Sequence, residues 1–91
     1  AMVLGVGRNG GMAEEVLVPR RSLVGLPTGL DVRDACLIEP LAVHLHAFAL
    51  ARLGSRQRVC VVGANVSGFG LLGAVAARDR GCEVDFDEQA P

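Results

Sequence analysis

Apolar positions in this chain come in short blocks, each closed by glycine or proline, and the pattern is clearest in the second half. Arg58-Val59-Cys60-Val61-Val62 runs into Gly63. A continuous β-branched block of that length predicts a parallel strand buried on both faces. Leu71 to Arg80 is rich in Ala, Leu and Val and predicts a helix closed by Gly81. Glu83-Val84-Asp85-Phe86-Asp87 alternates in polarity and predicts a second strand. Strand, glycine turn, helix and strand within about thirty residues make a βαβ unit.

The first half is more broken. Four glycines between Gly5 and Gly11 predict a loop. Glu15–Pro19 and Leu23–Pro27 each read as a short strand stopped by proline. After a turn at Thr28-Gly29, Asp31 is placed to cap a helix reaching Glu39, with Asp34 in its first turn. A second helix is expected from Leu41 to Leu53, with Pro40 just ahead and Gly54 just after. It is apolar most of the way round, as a helix between layers would be. Ser55-Arg56-Gln57 is the longest polar break after that helix and sets the expected boundary between units 1–54 and 55–91.

Composition narrows the classes. About half the residues are apolar but only three are aromatic, so the core must be Ala, Val and Leu, as in layered α/β proteins. A formal charge of −1 offers no basic face to nucleic acid or membranes. Cys36, Cys60 and Cys82 are scattered, without a CxxC pair, and are expected as small buried hydrophobes in a reducing compartment. No apolar run is long enough to span a membrane, no signal-peptide pattern opens the chain, and the expected setting is cytoplasmic. Both ends have the look of cut ends, with Pro91 following an acidic stretch.

The glycine turn carries the candidate chemistry. After such a strand one glycine permits the turn, another lets the backbone approach a pyrophosphate, and a third lets the helix pack closely. The turn reads Gly63-Ala64-Asn65-Val66-Ser67-Gly68, with Gly63 and Gly68 at the fingerprint spacing and Asn65 where the middle glycine belongs. Gly68-Phe69-Gly70-Leu71-Leu72-Gly73 is a literal copy of the motif, but it begins too far past the strand to make the turn and reads as helix packing. Asp87 and Glu88, at the end of the second strand, are the candidate acceptors for ribose hydroxyls; an acid there favours NAD over NADP. The plain alternatives are a packing turn and acids that only solvate a strand end.

Taken together, Gly10-Gly11-Met12-Ala13-Glu14-Glu15-Val16-Leu17-Val18-Pro19, Leu37-Ile38-Glu39-Pro40-Leu41-Ala42-Val43, Leu45-His46-Ala47 and Val61-Val62-Gly63-Ala64 resemble the zinc-dependent medium-chain alcohol dehydrogenases, most of all the polyol (sorbitol-type) branch. The resemblance implies the end of a GroES-like catalytic domain over 1–54 and the first βαβ unit of a Rossmann NAD(P)-binding domain over 55–91. It further implies a parent, expected as a homo-oligomer, that moves hydride from an alcohol or polyol to NAD(P), NAD favoured, with zinc as Lewis acid. Glu39 matches the glutamate beside the catalytic zinc in that branch, and ending a helix before Pro40 would aim it into the cleft between domains. The other zinc ligands have no counterpart in this segment, so the chain alone is expected to be inactive. Rival readings are a nucleotide-binding remnant and a non-functional truncated product, with a zinc-free quinone-reductase relative opposed by Glu39-Pro40.

Two departures stand out. The segment from the turn to Gly81 is two residues longer than the family pattern, and His44 stands where a small residue is expected. His44 and His46 lie about 200° apart on a helix and cannot share one metal ion. His46, common at this position in the family, is expected to be the packed, hydrogen-bonded one, and His44 has no assigned role. Arg20-Arg21 and Arg78-Asp79-Arg80 are expected as solvated surface.

Overall fold

The computed structural model describes residues 3–63 and 68–87. Its elements in order are a 3₁₀ turn (Arg20–Ser22), α1 (Val32–Ala35), α2 (Ile38–Leu50), β1 (Arg58–Val62), α3 (Gly68–Asp79) and β2 (Glu83–Asp87). β1 and β2 pair in parallel, from Arg58 opposite Glu83 to Val62 opposite Asp87, with α3 as the crossover. The chain is thus α/β with a two-stranded parallel sheet, and the predicted βαβ unit is present. Helix α3 packs on both strands, and α2 packs on α3.

Both helix ends are built alike. Gly81 (φ +87°) follows α3; its N–H donates to Arg78 O (2.9 Å), and the Cys82 N–H donates to Ala77 O (3.1 Å). That pair of bonds is a Schellman motif with glycine at the left-handed position. Buried Ala77 and Cys82 supply its apolar contact. α2 ends in the same way, with Arg52 N–H to Ala49 O (3.1 Å) and Leu53 N–H to Phe48 O (2.9 Å). There the left-handed residue is Arg52 (φ 52°), not the glycine two positions on that the sequence suggested.

The helix starts also differ from expectation. Asp31 caps as predicted, its Oδ1 accepting from the Arg33 N–H at 2.8 Å, but α1 stops at Ala35. α2 then begins at Ile38 and runs straight through Glu39 and Pro40. Proline is tolerated there because first-turn N–H groups have no partner inside the helix. The ladder opens with Leu41 N–H donating to Leu37 O (3.0 Å). α3 starts at Gly68 rather than Leu71, so the glycine-rich copy of the motif lies inside the helix.

Glu15–Pro19 and Leu23–Pro27 do not form strands. The backbone is extended at Pro19 and Leu23, but neither segment has a ladder partner among the described residues. Extended conformation becomes a strand only when a neighbour satisfies its N–H and C=O groups. β1 likewise is covered on one face: Val59 and Val61 are half-buried while Cys60 and Val62 are exposed. Among the described residues the buried apolar side chains are Ala74, Ala76, Ala77 and Cys82. The core is therefore the seam between α3 and its neighbours. Cys36 and Cys60 are exposed, against the expectation that all three cysteines are buried.

The polar break at Ser55-Arg56-Gln57 is not a free linker. The Arg56 N–H donates to Gly81 O (2.9 Å), Gln57 O accepts from the Glu83 N–H (2.9 Å), and Gln57 Oε1 accepts from the Gly54 N–H (2.8 Å). These bonds clip the entry of β1 to the turn between α3 and β2.

Candidate functional site

The site is set by the carboxyl ends of the two strands. In a parallel sheet, residues facing each other across the ladder finish at the same edge, and ligands of α/β proteins bind outside that edge. Val62, the last residue of β1, is opposite Asp87, the last of β2, and the Gly63 N–H donates to Asp87 O at 3.3 Å. One candidate acid therefore stands directly beside the first glycine of the turn. Gly63 has φ +83° and nothing within 4 Å of where a Cβ would sit. The left-handed backbone explains the glycine, and the open space leaves room for an approaching group.

α3 opens at Gly68, past the turn. Ala64, Asn65, Val66, Ser67 and Glu88, all expected at the cofactor, lie outside the described residues. Gly63, Gly68 and Asp87 are thus the candidate cofactor residues whose places are known. They lie at the strand ends and at the start of the crossover helix.

A second cluster locks α2 to the first turns of α3. His44 Nε2 lies 2.8 Å from the Phe69 carbonyl, and its ring rests on the Phe69 ring with centroids 4.2 Å apart. A Cβ at Gly73 would meet the same imidazole at 2.6 Å (Cε1) and 2.7 Å (Nδ1). Gly73 is therefore a close-packing glycine, as the helix-packing reading of the second motif required. Along the same seam Phe48 lies 6.3 Å from His44, with the Arg80 guanidinium 6.0 Å over the Phe48 ring. The packed histidine is His44; His46 is exposed, contrary to the sequence reading. A ring on this face needs a glycine opposite, and pairing His44 with Gly73 requires knowing which faces of α2 and α3 meet.

Glu39 is in the first turn of α2, not at the end of a preceding helix. A carboxylate there is favoured by the helix dipole. It is exposed and borders an apolar groove of about 750 Å³ formed with Val24, Leu26, Pro27, Leu30 and Ile38. Among the described residues no three of His, Cys, Asp and Glu come together as a metal needs. One exposed carboxylate does not hold zinc, so the residues present do not fit a zinc ion by themselves.

Neither a known family description nor a solved structure matches the chain. Curated sequences do. It is 40% identical over 66 residues to galactitol 1-phosphate 5-dehydrogenase of Escherichia coli K12, covering 72% of this chain and 19% of that protein. It is 37% identical over 90 residues to L-galactonate-5-dehydrogenase of the same strain, covering 98% and 25%. A zinc-type alcohol dehydrogenase-like protein of Haemophilus influenzae is 35% identical over 79 residues, 87% and 22%. The chain thus spans about a fifth to a quarter of the length of these relatives. The similarity runs through the first half and the βαβ unit alike, at an identity that shared glycine spacing does not produce. On that ground the chain belongs to the zinc-dependent medium-chain alcohol dehydrogenase family, in its polyol (sorbitol-type) branch.

Proposed function

We propose that this chain supplies the end of a GroES-like catalytic unit (1–54) and the first βαβ of a Rossmann unit (55–91) to an oxidoreductase that moves hydride from an alcohol or polyol to NAD(P). The observation that carries the reading is the pairing of Val62 with Asp87, which sets an acid beside the left-handed Gly63 at the carboxyl edge of a parallel sheet. Gly63 lets the chain turn away beneath the pyrophosphate. The N–H groups opening α3 face its charge, and Asp87 with Glu88 accepts from the ribose hydroxyls. A carboxylate in that place disfavours the additional phosphate of NADP, so NAD is the preferred form. The cofactor supplies the hydride acceptor; this chain's residues bind and orient it.

Zinc enters only with ligands from outside the chain, Glu39 being the one carboxylate this segment would bring to it. Hydride transfer is accordingly not expected of the 91 residues alone. The experiment is an NMR titration of the isotope-labelled chain with NAD⁺ and, separately, NADP⁺. The expected result is saturable shifts of Gly63, Gly68 and Asp87 with NAD⁺ on the order of millimolar, about −4 kcal/mol, and weaker shifts with NADP⁺. Shifts that never saturate, or that avoid the strand ends, would overturn the reading.

A further inference from the structure

We propose that His44 is a positioning residue for the start of α3, the helix end that faces the cofactor in the reading above. It holds the first turn of α3 by a hydrogen bond to the Phe69 carbonyl, and so fixes where the N-terminal end of the helix points. The proposal rests on the reading that this turn takes the dinucleotide. A carbonyl oxygen can only accept, so at 2.8 Å the proton is on Nε2 of His44, and the imidazole donates. The bond crosses from the middle of α2 to the second residue of α3, one residue past the glycine that opens that helix. Stacking on Phe69 at 4.2 Å fixes the plane of the ring, and Gly73 alone leaves room for it. Three constraints thus converge on one side chain: a donor bond, a ring contact and a space where no Cβ fits.

Glycines at 68, 70 and 73 fall in the first turns of α3, and glycine is a poor helix former. A first turn so composed has little intrinsic reason to stay wound. A donor and a ring from the neighbouring helix give it one, at the end of α3 that must meet the phosphates.

The test separates packing from positioning with two substitutions in the full 91-residue chain. His44→Phe keeps a ring over Gly73 and Phe69 but cannot donate; His44→Gln keeps a donor without the ring. The readouts are NAD⁺ affinity by titration, amide hydrogen exchange of residues 69–73, and the thermal midpoint. We expect His44→Phe to lower the midpoint by about 4–8 °C, as loss of one hydrogen bond does, to speed exchange in the first turn of α3, and to weaken NAD⁺ about five- to tenfold. His44→Gln is expected to bind NAD⁺ within about twofold of the original chain despite a lower midpoint. NAD⁺ binding by His44→Phe equal to that of the unsubstituted chain would overturn the proposal and leave His44 a packing residue. No saturable binding by the unsubstituted chain would instead overturn the functional reading on which it rests.

Discussion

Gly63 and Gly81 share nearly the same left-handed backbone, φ +83° and +87°, yet replacing them by alanine should have different costs. A left-handed residue with a Cβ loses about 1–2 kcal/mol, part of it offset by the stiffer unfolded chain, so about 1 kcal/mol is common to both. At Gly63 a new methyl meets nothing within 4 Å, and the backbone term is the whole effect. At Gly81 it comes within 3.3 Å of Ser55 Cβ. Ser55 cannot simply move aside, because the next residue donates to Gly81 O at 2.9 Å and Gln57 O accepts from Glu83. Shifting it weakens one of those bonds, worth about 1 kcal/mol. Gly81→Ala should therefore cost about 2 kcal/mol, raising the opening equilibrium of the β1 entry about thirtyfold, against about fivefold for Gly63→Ala. Hydrogen exchange of the Arg56 and Glu83 amides measures that opening directly. The clash is with Cβ rather than Oγ, so Ser55→Gly should couple to Gly81→Ala by about 1 kcal/mol and Ser55→Ala should not couple at all. Equal costs at the two glycines, or equal coupling for the two serine replacements, would refute the argument.

Other outcomes follow from the same geometry. Arg52→Gly should stabilise α2 by up to about 1 kcal/mol, because it removes the Cβ penalty at the left-handed position of a Schellman motif; urea unfolding followed by circular dichroism reads it. Asp31→Ala should cost α1 its cap, about 1 kcal/mol, seen as faster exchange at Arg33 and Asp34 with α3 unaffected. Under native conditions a thiol reagent should label Cys36 and Cys60 and spare Cys82, which is buried with its Sγ donating to Gly54 O at 3.3 Å; mass spectrometry of peptides distinguishes them. Sedimentation velocity should show the chain associating as its concentration rises, and a monomer across the whole range would show that the bare face of β1 and the apolar side of α2 do not pair.

Local rules read the second half well. Both strands were legible because alternation and a β-branched run ending in glycine depend on the pleat alone, and the observed bounds Arg58–Val62 and Glu83–Asp87 fall where the pattern put them. Asp31 and Gly81 were legible because capping chemistry is local too. Misreadings arose where the answer depends on a neighbour. Pro40 reads by sequence as a helix breaker, but it sits in a first turn, where its missing N–H costs nothing. Gly54 is the residue that local rules pick to end α2, whereas Arg52 adopts the left-handed conformation because Leu53 and Phe48 close the motif around it. The family pattern favours His46 over His44 as the packed histidine, but the choice is made by Gly73 across the seam, twenty-nine positions from His44 in sequence.

The same distinction explains what the chain leaves open. It exposes 7801 Å², whereas a compact monomer of 9.5 kDa exposes about 5,000 Å². The excess, about 2,800 Å², is the size of an extensive protein interface rather than of ordinary surface roughness. The chain's most exposed large apolar side chains, Met12, Val24, Leu17 and Val6, lie in the irregular first segment, but Val62 is 68% exposed and Leu50 73% exposed on elements whose sequence reads as interior. β1 carries the strand pattern of a sheet centre, buried on both faces, yet one face is bare and one edge has no partner strand among the described residues. A sequence chosen for burial on two faces that finds cover on one is built to meet further structure. That agrees with a chain spanning a fifth to a quarter of its relatives' length. Until such cover is supplied, the bare face and edge of β1 and the apolar side of α2 are the surfaces through which copies should pair.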